Sequence, residues 1–402
     1  MQMKNTFFKI NLYRTILFVG LTSIILIASI FGPAVRVAIF PEGRAFRHHD
    51  GNMTVHFMDV GHGNAVAIRT PDNKVILIDG GGHIYYSRVS NYLQTRVITN
   101  ANRRAPYGRI DYVIVTNTSP DSIGSLSRIM QSFDIGTVVR PIIQSNSPHD
   151  RYNDTVPLHW GITLPPVYTE VINDAYENAD EVKVTTAGLR LPIVANNNSA
   201  WTLKFHTPSD ALWYTAINHD PRQISPIMTL EFMSHIFVFT GSSGFPAEGD
   251  FILSETAREM FTPDRIENSA VHLQVGQNGG PDATGNPFLS MIRPTTAVIS
   301  VGNRLPNRYP DTSLVNRLRF GHDIRDIHVT RDTGNVAIRV NNDDSWTTFL
   351  GFFNPANLWW LSIILMVSAF FISFTNFKKP QTEIADGQDD KISSAVGEDD
   401  YI

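Results

Sequence analysis

Two carboxylates and two imidazoles stand out as residues able to do chemistry: Asp59, His62, Asp79 and His83. Zinc takes such donors, about four to a site, at roughly 2.0–2.3 Å. Each of the four also has a plainer reading. Asp59 and Asp79 end short apolar runs beside glycines, and His62 sits in the turn Gly61-His62-Gly63. Asp121 is a third carboxylate, and the segment Ser119-Pro120-Asp121 reads as a helix start. Serine suits the cap, proline the first helical position, and an acid the positive end of the helix dipole. There is no Ser-His-Asp nucleophile motif. Gly241-Ser242-Ser243-Gly244 only loosely echoes a nucleophile elbow and reads as a turn. The chain has no cysteine, which excludes disulfides, thiolate metal sites and cysteine nucleophiles.

The elements that must position these residues are legible between Met53 and Val340. Val55 and Phe57 alternate with polar neighbours as in a strand, and Ala65 to Arg69 is a second one. Val75 to Ile78 is a short apolar run ending in Asp79-Gly80-Gly81-Gly82. Val89, Tyr92, Leu93, Val97 and Ile98 share one face of a helix, as do Ile123, Leu126, Ile129, Met130 and Phe133. Tyr112 to Val115 and Thr137 to Val139 read as buried strands. From Pro141 to Ala200 the periodicity is mixed, and an irregular insertion with some local structure is expected. Regularity resumes with a strand at Trp201 to Phe205 and a hairpin over Met228 to Phe232 and Ile236 to Phe239. Helices are expected at Phe251 to Met260, Phe288 to Met291 and Ser313 to Phe320. Strands are expected at His272 to Val275 and Thr296 to Ser300, and a final hairpin around Asp332-Thr333-Gly334-Asn335. Hairpins mixed with strand–helix units imply a layered α/β domain over residues 51–345.

Composition adds the ends. Segment 15–35 carries no charge and spans roughly 30 Å as a helix, the thickness of a bilayer core. Its length favours an uncleaved signal anchor over a cleaved signal peptide. Segment 356–377 is equally free of charge and opens on an indole pair, Trp359 and Trp360, of the kind that favours the membrane interface. Lys378 and Lys379 close it, whereas Asp343 and Asp344 precede it. By the positive-inside rule the C-terminus is then cytoplasmic. The 1–14 stretch returns to the same side, and the domain lies outside the cell membrane. The net charge is −5, and the acidic tail 378–402, with three basic and seven acidic residues, carries −4 of it. That tail is expected to be disordered. The remaining −1 gives no reason to expect strong nucleic-acid binding. The basic cluster Arg103, Arg104 and Arg109 reads as a solvated helix end.

Several segments resemble the metallo-β-lactamase fold, in particular the extracytoplasmic domain of the ComEC competence-protein family. Phe57-Met58-Asp59-Val60-Gly61-His62-Gly63-Asn64-Ala65 is similar to that family's opening F-x-D-V-G-Q-G-D-A. Leu77-Ile78-Asp79-Gly80-Gly81 resembles its L-I-D-x-G. Asp111-Tyr112-Val113-Ile114-Val115-Thr116 leads into its metal loop. Val275-Gly276-Gln277-Asn278-Gly279 stands where the family has V-G-H-H-G. Ile299-Ser300-Val301-Gly302 and Asn307-Arg308-Tyr309-Pro310 resemble its closing segments. The resemblance implies a four-layer αββα sandwich, flanked here by the two transmembrane helices.

The same resemblance shows what is replaced. The family's metal loop T-H-x-H-x-D-H is Thr116-Asn117-Thr118-Ser119-Pro120-Asp121-Ser122 here, so of its ligands only Asp121 is kept. The bridging acid of T-G-D is Ser242, and the paired histidines are Gln277 and Asn278. Pro310 follows Tyr309 directly, where the family has a further histidine beyond. His149 and His159 lie where one more ligand is due, but neither has a motif around it. Asn, Ser and Gln offer neutral oxygens that suit calcium or magnesium better than zinc. No metal, cofactor or catalytic residue is therefore expected at these positions. The fold would bring Asp59, His62, Asp79 and His83 near the old metal loop, where they form the alternative of a rebuilt site. The leading expectation is a membrane-anchored, catalytically inactive binding or scaffolding module for a protein partner or small ligand. The alternative is an active zinc-dependent nuclease or phosphodiesterase linked to DNA uptake.

Overall fold

Strands β1 (Met53–Phe57), β2 (Val66–Arg69) and β3 (Val75–Ile78) form an antiparallel meander, with Phe57 opposite Val66 and Val66 opposite Ile78. All their residues are buried, which is why β3 reads as an unbroken apolar run. The computed structural model describes residues 51–98, 107–152, 163–192, 200–209, 225–302 and 308–351. After β3 come α1 (Tyr86–Tyr92), β4 (Arg109–Ile114), α2 (Pro120–Ile123), α3 (Leu126–Ser132), β5 (Asp134–Arg140), α4 (Pro166–Asn178) and β6 (Ala179–Val184). Strands β3 to β6 pair in parallel, and the helices supply the crossovers that parallel pairing needs.

A second sheet begins with β7 (Arg190–Leu191), β8 (Trp201–Phe205), β9 (Met228–Phe232) and β10 (His235–Phe239), all antiparallel. Then follow α5 (Phe245–Leu253), α6 (Glu255–Met260), α7 (Pro263–Glu267), β11 (Ala270–Gln274), α8 (Asn286–Ile292), β12 (Thr296–Ile299), α9 (Thr312–Asn316) and β13 (Asp326–Val329). Strands β10 to β13 are parallel. After α10 (Thr330–Thr333), β14 (Val336–Val340) and β15 (Trp346–Leu350) return to the first sheet beside β1. The two mixed sheets run β15-β14-β1-β2-β3-β4-β5-β6 and β13-β12-β11-β10-β9-β8-β7.

Alternate residues of the strands go to different cores. Val55, Phe57, Ile68 and Ile76 meet Leu203, Phe205, Phe237 and Phe239 in a cluster built from strands of both sheets. Their strand neighbours Leu77, Val113, Val138, Leu273 and Ile299 join the helical residues Val89, Ile129, Ile172, Phe251 and Phe288 instead. The sheets therefore pack face to face, and helices cover the other faces.

Three expectations need correction. The stretch 141–200 is not mainly irregular, since it contains α4 and the edge strand β6. In α4 only a narrow stripe, Tyr168, Val171, Ile172 and Ala175, is apolar and buried. β6 is the polar sequence ADEVKV, as suits an edge that must not pair further. The hairpin expected around Asp332–Asn335 is instead the corner where the chain crosses between sheets. Gly334 turns it with φ +72°, and a Cβ there would lie 2.0 Å from the Gly351 carbonyl. The helices expected over 123–133 and 251–260 are each two pieces, α2 with α3 and α5 with α6. Segments 15–35 and 356–377 lie outside the described residues, among which no helix is long and apolar enough to cross a membrane.

Candidate functional site

Loops at the strand ends of both sheets meet at one junction. Asp79 follows β3, with its backbone left-handed at φ 55°. Its carboxylate is fully buried and accepts from the Thr116 amide at 2.9 Å and the Thr116 hydroxyl at 2.6 Å. Burial pushes its pKa up to about 7, against the pull of those two hydrogen bonds. Asn117, also fully buried, donates to Thr116 Oγ1 at 2.8 Å and accepts from the Ser119 amide at 2.7 Å. Both ends of its side chain are thus engaged. Ser122 is buried, and its carbonyl accepts from the Gly80 amide at 2.8 Å.

The helix start at Ser119 is only partly as expected. Pro120 takes the first position and Asp121 lies in the first turn, but the Ser119 side chain makes no capping bond. Asn117 Oδ1, accepting from the Ser119 amide, shapes the turn instead. The Asp121 carbonyl comes so close to Gly63 that a Cβ there would lie 1.9 Å from it. Any side chain at Gly63 would push the two loops apart.

The second sheet supplies the other half. Ser242 follows β10, and its amide donates to Ser225 Oγ at 3.1 Å. Gln277, Asn278 and Gly279 follow β11 in three successive left-handed conformations, φ 49°, 54° and 84°. The Gln277 amide donates to the Gly241 carbonyl at 3.1 Å. Asn278 Nδ2 donates to the Ser300 carbonyl at 2.7 Å.

Asn64, between β1 and β2, links the halves. Its Oδ1 accepts from Gln274 Nε2 at 3.3 Å and Asn278 Nδ2 at 3.4 Å. Asn64, Gln274, Ser243 and Ser300 are all buried. Among the described residues, Asn64 Nδ2, Gln274 Oε1, Ser243 Oγ and Ser300 Oγ have no hydrogen-bond partner. Sequence reasoning did not single out these four as site residues. A signal existed at Gln274, which alternates with the helix-facing Leu273 and Val275 and so is polar where an inward residue is due.

The residues of the rebuilt-site alternative are near in the chain path but differently occupied. The Gly81 amide does bond the Asn64 carbonyl at 2.9 Å, so the loops adjoin. The Asp59 carboxylate, however, accepts from the Gly61 amide at 3.2 Å and faces Arg88 Nη1 at 3.5 Å. The His62 ring packs edge-on against Tyr309 at 4.8 Å. His83 is exposed. Among the described residues no three histidines or carboxylates converge on one point. The junction itself brings amide and hydroxyl groups together, with Asp121 its one family carboxylate, and this donor set does not fit zinc.

Elsewhere, His149 stacks on Tyr176 at 4.8 Å. Arg109 opens β4 rather than ending a helix, and it pairs with Asp134 at 2.9 Å and Asp180 at 2.7 Å. His159, Arg103 and Arg104 lie outside the described residues.

The model of the metallo-beta-lactamase superfamily matches residues 58–302. The chain is 22% identical over 296 residues to ComE operon protein 3 of Bacillus subtilis (strain 168), covering 72% of this chain. It spans only 33% of that relative's length. Among solved structures, Igni18, a metallo hydrolase from the archaeon Ignicoccus hospitalis KIN4/I, is 13% identical. That match covers 74% of this chain and 98% of Igni18, with a TM-score of 0.37. Zinc-bound PqqB from Methylobacterium extorquens is 10% identical, covering 70% and 99%, with a TM-score of 0.40.

Proposed function

Since the chain belongs to the metallo-β-lactamase superfamily, we propose that it is a catalytically silent, ComEC-like relative that works by binding rather than hydrolysis. The observation that carries this reading is the state of Asn117, which stands where the family has its first metal-loop histidine. Its amide is tied at both ends to Thr116 and Ser119. A zinc ligand would need a free donor there, and without metal no bound water is acidified for attack. The neutral groups of the junction suit hydrogen bonding to a small ligand or a partner protein. On this reading the domain is held outside the membrane between helices 15–35 and 356–377, with both termini in the cytoplasm.

The test is metal content. The purified protein should carry well under one equivalent of zinc, manganese or iron and show no phosphodiesterase activity. Combining Asn117→His, Ser119→His, Ser122→His and Ser242→Asp rebuilds one half-site beside Asp121, and this variant should gain measurable zinc affinity. Stoichiometric metal in the unmodified protein, lost on Asp79→Ala or His62→Ala, would favour the nuclease or phosphodiesterase instead. Protease added to intact cells should remove the domain and spare a tag placed after Ile402. Digestion of that tag would overturn the orientation.

A further inference from the structure

The outer face of the second sheet's antiparallel edge holds charges that the junction does not use. Lys204 in β8 lies directly opposite Arg190 in β7. Leu203 and Phe205 on either side of Lys204 point into the inter-sheet core, so both cations belong to the outer face. Like charges directly opposed on neighbouring strands destabilise a sheet. This pair stands at the wall of a cavity of about 420 Å³, also lined by Thr202, Thr256, Glu259 and Arg265.

The neighbouring charges do not resolve the conflict. Arg265 is taken up by an ion pair with Glu231. His206 is held by Thr256 and Thr229 at 3.0 and 2.8 Å, and burial keeps it neutral by pushing its pKa down to about 3. The lining then sets three cations, Arg190, Lys204 and Arg265, against two carboxylates, Glu231 and Glu259, with one positive charge in excess. Lys204 is only 7% exposed, and no hydrogen bond or ion pair within the described residues reaches its ammonium. Burial first, and then the Arg190 charge, pull its pKa below the ordinary lysine value.

A largely buried lysine with no hydrogen bond or ion pair, its ammonium open to a polar cavity beside a guanidinium, is the arrangement that an anion stabilises. We infer that this cavity is a binding site for a compact oxyanion, a phosphate or carboxylate group, held between Lys204 and Arg190. Arg190 offers a planar fork that matches two oxygens of either group, and Lys204 a point charge. The Thr202 hydroxyl lies on the same wall and supplies a neutral donor. The bound anion would also neutralise the opposed pair, so that filling the site stabilises this sheet edge. This cavity would hold its anion whether or not the junction holds a metal.

Calorimetric titration tests it on the whole protein in non-ionic detergent, in chloride buffer of constant ionic strength. Inorganic phosphate and acetate are titrated separately. Saturable one-to-one binding of at least one of them is expected, and the one that binds identifies the group recognised. Lys204→Gln and Arg190→Gln should each weaken it by about tenfold or more, as loss of a charge-assisted contact implies. In chloride alone, Lys204→Gln should melt no lower than the unmodified protein, because it relieves the repulsion. It should also lose the anion-dependent rise in melting temperature. On the unmodified protein, the anion should protect Lys204 from acetylation, read by mass spectrometry. Absence of saturable binding by both anions, affinity unchanged in both variants, or no protection of Lys204 would each overturn the inference.

Discussion

Two buried polar clusters in this domain are finished differently. One ties down the segment after β5. Arg140 and Asp150 are both fully buried and form an ion pair. The same guanidinium reaches Tyr168 Oη at 3.2 Å and the Pro141 carbonyl at 3.3 Å. Asp150 also accepts from the Ser145 amide and hydroxyl, and Tyr168 donates to the Ile143 carbonyl at 2.8 Å. Burial drives the Tyr168 pKa up to about 12 and keeps the phenol neutral. The other cluster is the junction around Asn64, where four buried polar atoms lack such partners. Buried polar groups are costly when unmade and rigidifying when complete. The first cluster is therefore architecture, while the second retains hydrogen-bonding capacity.

The largest effect should come from breaking the complete cluster. Asp150→Ala leaves the Arg140 charge buried alone and should cost about 3–5 kcal/mol in urea denaturation. Arg140→Met combined with Asp150→Leu should cost less than that single change, because no charge remains to be stranded. A cost for Asp150→Ala below about 1 kcal/mol, the range of exposed pairs, would erase the distinction between the clusters.

Acid should act next, and with opposite signs at different residues. Folded Asp79 titrates near 7, so between pH 7 and 5 it takes up a proton while its unfolded form stays ionised. Its contribution to stability therefore rises by about 2 kcal/mol as pH falls over that window. Burial pushes His206 and His272 down to about 3. Below about 6.5 their unfolded forms bind protons that the folded protein refuses, and each costs about 2 kcal/mol by pH 5. Urea denaturation at pH 7 and pH 5 should thus show a steeper acid loss in Asp79→Asn and a shallower one in His206→Gln. Equal slopes in all three proteins would refute the assignment of these protonation states.

The smallest effect belongs to the junction. Gln274→Leu removes a buried oxygen that has no partner and also the hydrogen bond that Gln274 Nε2 donates to Asn64 Oδ1. These opposing terms should leave stability within about 1 kcal/mol of the unmodified protein. A loss as large as that of Asp150→Ala would mean that the junction, too, is purely architectural.

Much of the fold is legible in the order of the residues. The strand over Val75–Ile78 is visible as an unbroken apolar run buried on both faces, and Trp201–Phe205 by the period-two alternation of its sequence. The stripe Val89, Leu93 and Val97 shows equally well with helical period. What hides α4 is its narrow apolar stripe among asparagines and acids, and what hides β6 is its edge position, where charge is an advantage. The turn at Gly334 carries a hairpin's composition, and only the partners of the flanking strands reveal a crossing between sheets.

For the site, residue type alone determines that Asn117, Ser119, Ser122, Ser242, Gln277 and Asn278 bring neutral side chains where the resembling family has charged or imidazole ligands. A donor's chemistry is a property of the side chain and needs no coordinates. Which of those groups are already spent is a different matter. That Asn117 is tied at both ends, that Asn64 joins the two sheets, and that Lys204 faces Arg190 across two strands are facts of the tertiary structure. They depend on register and burial, which emerge only when segments distant in sequence pack together.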